Sequence, residues 1–461
     1  MPAAITPNLD TTHGSMTRRV LRLGLPVLVV QATFFLVGFS DTVVTGRYLD
    51  EDALAAVTVA NYLLWFLDTL LTIVSIGATA VVARSVGAGD WGAANRACGQ
   101  AMLMALALGV VALAIGWPAA PFLTRMLNLQ GSVHAQATTF LRIVLIATPL
   151  VAATTAGIAC LQGAADTRTG MYVFFMVDAV NIALTWACAR GVGPMPSLGL
   201  PGVAAGTAIA EGLGGAVILV VLTLGRSNLK LGWKRLRFER PEAARIMHVS
   251  LPAMGESATN IVGQLWFLAL INRLGSTATA AHGVAIRCEA VAFLTVYAFS
   301  VPASTLVGQY LGASRPDLAA RAGRTAWALA VGVVGVLGVF VYLGADVMFD
   351  LFLGGRQPHV AAAGVPVLRI VAFALPALAT LNVVNGALRG AGDTRTPLAF
   401  TVVGYACARI PLTYWFATPV AQGGLGWGLE GAWLAMFADL HIRGALSAVR
   451  LLQGGWKHVR V

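Results

Sequence analysis

Seven carboxylates lie within long apolar stretches of this 461-residue chain, a setting in which acidic side chains are rare. They are Asp41, Asp68, Asp178, Glu211, Glu256, Glu289 and Asp439. An acid inside a membrane is costly, so it usually faces a cavity or a charged partner. A carboxylate in such a place can take up a proton or a cation reversibly.

Three polar residues, Asp178, Asn181 and Thr185, have the spacing i, i+3 and i+7, which places them on one face of a helix. With Asp41 they belong to the predicted ion-coupling set. For Asp41 the alternative is a helix cap or an ion pair near the membrane edge. For Asn181 the alternative is an interhelical hydrogen bond that stabilises the bundle.

A second polar face carries Glu256, Asn260 and Gln264 at i, i+4 and i+8. We predict that this face binds substrate and that Glu256 contacts a cationic group. Pairing of Glu256 with Arg287 is the alternative, because charges inside a membrane readily pair. No role is predicted for the acids that lack such neighbours, namely Asp68, Glu289 and Asp439.

The composition indicates which elements must position these residues. The chain is 57% hydrophobic and 11% charged, whereas a soluble domain is about one-quarter charged. Its apolar stretches reach the roughly 20 residues that a membrane-spanning helix needs. They predict an all-α membrane protein with twelve transmembrane helices near 17-47, 53-86, 91-118, 133-162, 168-190, 201-224, 243-273, 276-311, 317-344, 360-389, 395-418 and 428-451.

The two halves of the chain repeat each other. The segment LQGAADTRTG at Leu161 returns as LRGAGDTRTP at Leu388, 227 residues later, and other pairs of segments show offsets of 225 to 229 residues. Two homologous six-helix bundles are therefore predicted. Because six is even, both bundles have the same orientation, and a pseudo-twofold axis along the membrane normal should relate them.

The basic residues predict the orientation in the membrane. The net charge is +11, and most of the 31 Lys and Arg fall on the side of the termini and the central loop, which the positive-inside rule places in the cytoplasm. We therefore expect a multi-pass protein of the bacterial inner membrane with both termini cytoplasmic. The predicted parts are a tail (1-16), an N-lobe (17-225), a basic linker (226-241), a C-lobe (242-452) and a second tail (453-461).

Several other classes of function are disfavoured. The segment GAGDWG at Gly87 fits a dinucleotide-binding pattern but follows a membrane helix rather than a strand. No Walker motif, no Cys/His metal spacing and no nucleophile-base arrangement is present in the sequence. We predict no enzyme activity, no cofactor other than a coupling ion, no structural metal and no nucleic-acid partner.

Several motifs together resemble the multidrug and toxic compound extrusion (MATE) transporters, in their bacterial and archaeal DNA-damage-inducible protein F-like branch. They are FSDTVVTGRYLDEDALAAV, VARSVGAGDWGAANRA, LQGAADTRTG, GQLWFLALINRLGSTATAAHGVAIR, STLVGQYLGAS and NGALRGAGDTRTP. They occur in order along nearly the whole chain. The resemblance implies a V-shaped pair of six-helix bundles that alternates between outward-open and inward-open states and exports organic, often cationic, compounds in exchange for protons or sodium ions.

The resemblance also bears on single residues. It implies that Asp41, in its FSDT context, is the coupling acid of the first helix, and it adds Thr207 to the ion-coupling set. The family pattern Asn, three residues, Asp is met by Asn181 but not by Thr185, so Asp178 is a candidate substitute for the missing acid. Sodium could bind at Asp41, Asn181 and Thr207, and the sequence leaves proton and sodium coupling equally open.

Two further functions compete with organic-compound export. A lipid-linked oligosaccharide flippase of the wider superfamily would have extra helices and a cationic cavity, and a membrane-embedded enzyme would need clustered catalytic groups. The expected partners are a small organic substrate and membrane lipid, with the chain acting as a monomer. The function predicted first remains secondary active antiport of organic, cationic or amphiphilic compounds by alternating access.

Overall fold

The computed structural model of the protein describes residues 15–127, 129–191, 197–232 and 237–459, without the side chains of residues 34–42. In this part of the chain, sixteen α-helices and no strand are found. Each backbone amide inside such a helix is paired within its own segment, as lipid requires.

The helices fall into two compact units. The N unit, Pro26–Ser250, holds most of α1 (Met16–Tyr48) and the helices that follow it up to the start of α9. These are α2 (Glu51–Leu71), α3 (Ile73–Gly87), α4 (Trp91–Met126), α5 (Gly131–Leu145), α6 (Thr148–Gly163), α7 (Thr167–Arg190) and α8 (Gly199–Thr223).

The C unit holds the start of α1 up to Leu25 and the chain from Leu251 to Val461. Its helices are most of α9 (Arg240–Arg273), α10 (Ser276–Gly312), α11 (Pro316–Leu343), α12 (Ala345–Leu353), α13 (Pro358–Gly390), α14 (Arg395–Gly404), α15 (Ile410–Ala417) and α16 (Gly428–Gln453). A π-helical turn, Tyr405–Arg409, joins α14 to α15. The predicted limits of the two lobes stay a prediction.

Each of the twelve predicted spans corresponds to one helix or to one broken helix. Within the described residues, seven helices are long and apolar enough to cross a membrane, and the bent pair α5 and α6 makes an eighth. Helices α9 and α16 are less apolar because they carry charged and polar residues such as Glu256 and Asp439.

Two local features differ from the predicted spans. The span predicted at 133-162 consists of α5 and α6, which meet at an angle of 52°. The break precedes Pro149, which has no backbone N–H to donate and whose ring would clash with the carbonyl four residues earlier in a continuous helix. The short helix α12 was not predicted, because its nine residues cannot span the membrane.

The two DTRT segments share one structural role and differ in another. Helices α6 and α13 end at Gly163 and Gly390, and a Cβ on Gly390 would lie 2.1 Å from the Ser304 carbonyl oxygen, so glycine permits the close packing of α13 on α10. Asp166 caps α7 by accepting from the Thr169 amide at 3.0 Å. Asp393 does not cap its helix and instead bonds to Arg450 at 2.8 Å.

Candidate functional site

In the N unit, helix α7 presents the polar face that its sequence predicts. Asn181 and Thr185 are buried there, with exposed fractions of 2% and 0%. The Asn181 amide donates to the Thr207 hydroxyl of α8 at 3.1 Å. Thr207 in turn donates to the Val203 carbonyl at 3.2 Å. The interhelical hydrogen bond considered as the alternative for Asn181 is therefore present.

This bond does not satisfy the polar atoms of the α7 face. Three buried oxygens on this face have no hydrogen-bond partner among the described residues: Asp178 Oδ2, Asn181 Oδ1 and Thr185 Oγ1. The Asp178 carboxylate does accept from the Thr33 hydroxyl of α1. Because most buried polar atoms in folded proteins have a partner, a group of unpaired oxygens on one helix face requires an explanation. Three oxygens in this arrangement can accept a proton or coordinate a small cation.

Asp41 lies within α1, but its side chain is outside the described residues. Its predicted role in ion coupling therefore stays a prediction. Groups of three or more His, Cys, Asp or Glu suited to a bound metal are absent from the part of the chain that the structure describes. Any cation at the α7 face would accordingly be held mainly by amide and hydroxyl oxygens beside a single described carboxylate.

In the C unit, Glu256 is buried and paired. Its Oε2 accepts from Arg389 Nη2 at 2.8 Å, and its Oε1 accepts from Asn385 Nδ2 at 2.9 Å. Ser447 donates to the Asn385 oxygen at 2.9 Å and extends the network to α16. The arginine considered as an alternative partner from the sequence, Arg287, is not the partner within the described residues; Arg389 is. The predicted contact of Glu256 with a cationic substrate stays a prediction.

The other two residues of the α9 face differ in their surroundings. Asn260 donates to the Glu256 carbonyl at 3.0 Å, and its oxygen accepts from Arg443 Nη1 at 3.3 Å. Gln264 is exposed. The structure therefore joins Glu256 to the half-buried Arg389 and Asn260 to the buried Arg443, and leaves Gln264 outside that network. The role of all three in substrate binding is untested.

The strongest ionic cluster of the C unit has no predicted counterpart. Asp439 of α16 is fully buried and accepts from Arg409 Nε at 2.9 Å and from Arg443 Nη2 at 2.6 Å. Both arginines are only 2% exposed. The Arg409 guanidinium also lies 4.9 Å from the Tyr405 ring centroid. One carboxylate thus balances two guanidiniums inside the bundle.

The π-helical turn and a glycine make this cluster possible. The turn contains both Tyr405 and Arg409, which are buried. A Cβ on Gly404 would lie 2.5 Å from the Arg443 side chain and 2.8 Å from Asp439 Oδ1, so only glycine leaves room for the pair. A π-helical turn changes the register of a helix, and such turns are frequent at functional sites. The i, i+4 spacing of Asp439 and Arg443 was the sequence signal that could have revealed their pairing.

The family model described as MatE matches residues 26–187 and 252–415. The chain belongs to the MatE family. One matched segment falls within each compact unit, as expected of a duplicated chain. The resemblance to MATE transporters is thereby confirmed, and the protein is a multi-pass membrane transporter with the twelve-helix fold of that family.

The sequence of this MatE chain is similar to those of named relatives over nearly its full length. It is 27% identical over 440 residues to a probable multidrug resistance protein NorM of Thermotoga maritima, covering 95% of this chain and 93% of the relative. It is 29% identical over 467 residues to a protein of the same name in Pseudomonas aeruginosa, covering 96% of this chain and 90% of the relative.

Solved structures show the same fold. An outward-facing multidrug resistance MATE transporter matches with a TM-score of 0.85 at 18% identity, covering 97% of this chain and 99% of that one. A MOP superfamily transporter from Pyrococcus furiosus matches with a TM-score of 0.84 at 20% identity, covering 96% and 95%. At these identities the likeness supports the fold of the MatE chain and does not extend to its substrate.

Proposed function

We propose that the protein is a secondary active antiporter that exports organic, cationic or amphiphilic compounds in exchange for protons or sodium ions by alternating access. Two relatives that match over at least 90% of their length are named as probable multidrug resistance proteins. This naming supports an organic substrate. Coupling to an ion requires a site in the chain itself that can gain and lose a positive charge.

The proposal is carried by three buried oxygens on α7, from Asp178, Asn181 and Thr185, that have no hydrogen-bond partner within the described ranges. Binding of a proton or a sodium ion would supply the missing interactions and remove the cost of the Asp178 charge. A ligand shifts a conformational equilibrium only through different affinities for the two states. A carboxylate whose charge is neutralised in one state supplies such a difference.

Asp41 is the second acid of the proposed site, beside Asp178. In the exchange cycle, the ion binds at Asp41 and the α7 face while substrate is absent. Binding and release of the ion then drive the change between the outward-open and inward-open states in opposite directions. The site needs no covalent chemistry, because only a proton or sodium ion moves between carboxylate and water. Asn at position 41 would resemble the permanently neutral form and would uncouple the two movements.

The test is gradient-driven transport in proteoliposomes. Purified protein is reconstituted with a cationic fluorescent dye, and either a pH gradient or a sodium gradient is imposed. We expect wild-type protein to move dye uphill with one of the two gradients, and Asp41→Asn to bind dye but lose uphill movement. Asp350→Asn, a change at an exposed position of α12, is the matched control and should behave as wild type.

Two results would contradict the proposal. If folded wild-type protein moves no tested dye with either gradient, ion-coupled export of organic cations is wrong. If Asp41→Asn supports uphill transport at the wild-type rate, Asp41 has no part in coupling, and Asp178 becomes the acid to test.

A further inference from the structure

A crevice of about 380 Å³ lies in the C unit, away from the networks described above. Its walls come from the first turn of α1 and one face of α11. The lining residues are Thr17, Arg321, Arg324, Thr325, Ala328 and Leu329. The α11 residues have the spacing i, i+3, i+4, i+7 and i+8, so they form one continuous strip of that helix.

The upper part of the crevice is positively charged. Both Arg321 and Arg324 are exposed, and among the described residues neither pairs with a carboxylate; Arg324 Nε donates to the Ala320 carbonyl at 3.3 Å. The neighbouring acid, Asp317, instead pairs with Arg315 at 3.4 Å. Two guanidiniums without acidic partners are a suitable site for an anion that accepts several hydrogen bonds, such as a phosphate group.

Other groups at the crevice favour the same ligand. The hydroxyl-bearing side chains of Thr17 and Thr325 line it beside the arginines. Thr17 is the second residue of α1, so the positive end of that helix dipole also lies at this place. The combination of two guanidiniums, two hydroxyls and a helix start favours an oxyanion over a halide, because an oxyanion can accept several hydrogen bonds at once.

The lower part of the crevice is apolar. Leu329 lies about 12 Å farther along α11 than Arg321, at about 1.5 Å per residue. Below it on α11, Val333 and Val336 have exposed fractions of 45% and 58%. On α1, Leu25 is 57% exposed and lies two turns below Thr17 on the same face. The basic end of the crevice is therefore followed by exposed apolar side chains on both helices.

We propose that this crevice binds an anionic phospholipid, with its phosphate between Arg321 and Arg324 and its acyl chains along α1 and α11. A soluble phosphate would use the charged end but gain nothing from the apolar surface beneath it. A lipid uses both, and basic residues next to a membrane helix attract anionic lipid. The inference rests on the membrane location of the MatE family and does not depend on the proposed export function.

The test is lipid binding to the delipidated full chain in detergent, followed by native mass spectrometry. The probes are phosphatidylglycerol, phosphatidylcholine with the same acyl chains, and glycerol 3-phosphate. The variant R321Q/R324Q removes the two crevice charges. The matched control is R168Q/R395Q, which removes one exposed arginine from each DTRT segment and the same total charge.

We expect phosphatidylglycerol to bind wild-type protein more tightly than phosphatidylcholine, and R321Q/R324Q to weaken it at least tenfold, as two basic groups near an anionic lipid should. The control should bind phosphatidylglycerol as wild type does. The variant Ala328→Trp fills the crevice without a change of charge and should also weaken binding.

Three results would overturn the assignment. If R321Q/R324Q and its control weaken binding equally, the effect comes from net charge and not from the crevice. If phosphatidylcholine binds as tightly as phosphatidylglycerol, the arginines do not select the lipid. If glycerol 3-phosphate displaces phosphatidylglycerol at equal concentration, the site takes a soluble phosphate. A circular dichroism melt confirms that each variant is folded before its binding is compared.

Discussion

The polar interior of the N unit contrasts with that of the C unit at equivalent positions of the repeat. On α7 of the N unit, Asp178 and Asn181 retain buried oxygens without hydrogen-bond partners in the part of the chain that the structure describes. Their repeat partners in the C unit are Tyr405 and Ala408, in the π-helical turn that ends at Arg409, a residue held by Asp439. The helices of the two units thus still correspond, but the polar groups on α7 lack partners in the described residues, whereas those around Arg409 are paired.

The contrast indicates how the two units can divide their work. A buried acid with unused hydrogen-bonding capacity can change its charge at low cost, because protonation or ion binding supplies what the protein does not. A carboxylate between two arginines loses much more on neutralisation, because it leaves buried cations uncompensated. We therefore expect the N unit to respond to ions and the Asp439 cluster of the C unit to act as a rigid structural centre.

The largest effect should come from Asp439→Asn. This change leaves Arg409 and Arg443 buried without their carboxylate, and breaking a buried pair of this kind costs about 3–5 kcal/mol. A thermal-shift measurement in detergent should show strong destabilisation. Asp178→Asn is the comparison from the N unit and should change stability little. Equal destabilisation by the two changes would contradict the contrast between the units.

The next effect concerns coupling at Asp178. Asp178→Asn should reduce gradient-driven transport about tenfold, in the range of typical coupling free energies of 1–3 kcal/mol, and less than Asp41→Asn does. Dye binding without a gradient should remain. The matched change in the C unit, Tyr405→Phe, should leave the ion dependence intact. Ion dependence lost in Tyr405→Phe but kept in Asp178→Asn would reverse the assignment of the ion site.

A smaller effect is expected at Glu256, whose pairing with Arg389 resembles that of the Asp439 cluster. Glu256→Gln should lower stability by about 1–3 kcal/mol, since the half-buried Arg389 guanidinium loses its charged acceptor. Arg389→Gln in the same protein should restore part of the loss, because both charges are then gone. Binding of a cationic and a neutral dye to the double variant gives a separate readout.

That readout decides the role of Glu256. A cation-specific loss that persists in the double variant would show that Glu256 contacts substrate in addition to Arg389. Equal affinity for both dyes in the rescued protein would leave Glu256 with a structural role only.

Sequence reasoning predicted most of the helices and one of the two polar interiors. Asp178, Asn181 and Thr185 are brought to one face by the helical repeat alone, so their spacing was sufficient. The pairing of Arg409 with Asp439 joins residues on two different helices through a π-helical turn, which the spacing does not specify. Asp439 was therefore left without a role.

The bend between α5 and α6 was also missed, although Pro149 marks it. Hydropathy measures whether a stretch is apolar and does not register a change of helix direction. The repeat likewise does not predict that Asp393 bonds to Arg450 and to the Thr396 hydroxyl, whereas Asp166 caps a helix. The Asp393–Arg450 contact joins residues that are distant in the chain, whereas the bend has a local cause in Pro149.

The smallest effect should come from the cap of α7. Burial by itself raises the pKa of Asp166, but hydrogen bonds from Ser227 and Thr169, with Arg226 nearby, outweigh it and hold the pKa below its usual value. Asp166→Ala removes the cap and should cost about 1 kcal/mol. Asp166→Asn keeps a good capping side chain and removes only the charge, so it should cost less at neutral pH.

The two substitutions also separate capping from charge through pH. A carboxyl whose pKa is lower in the folded protein stabilises it above the ordinary pKa of about 3.8 and loses that contribution as the pH falls below it. The stability difference between wild type and Asp166→Asn, measured by thermal shift, should therefore be present at pH 6 and shrink as the pH falls toward about 3. The cap in Asp166→Asn does not titrate, so this variant should remain more stable than Asp166→Ala throughout. A constant difference between wild type and Asp166→Asn across this range would show that the charge of Asp166 contributes nothing to the fold and that the hydrogen bond to Thr169 is its whole effect.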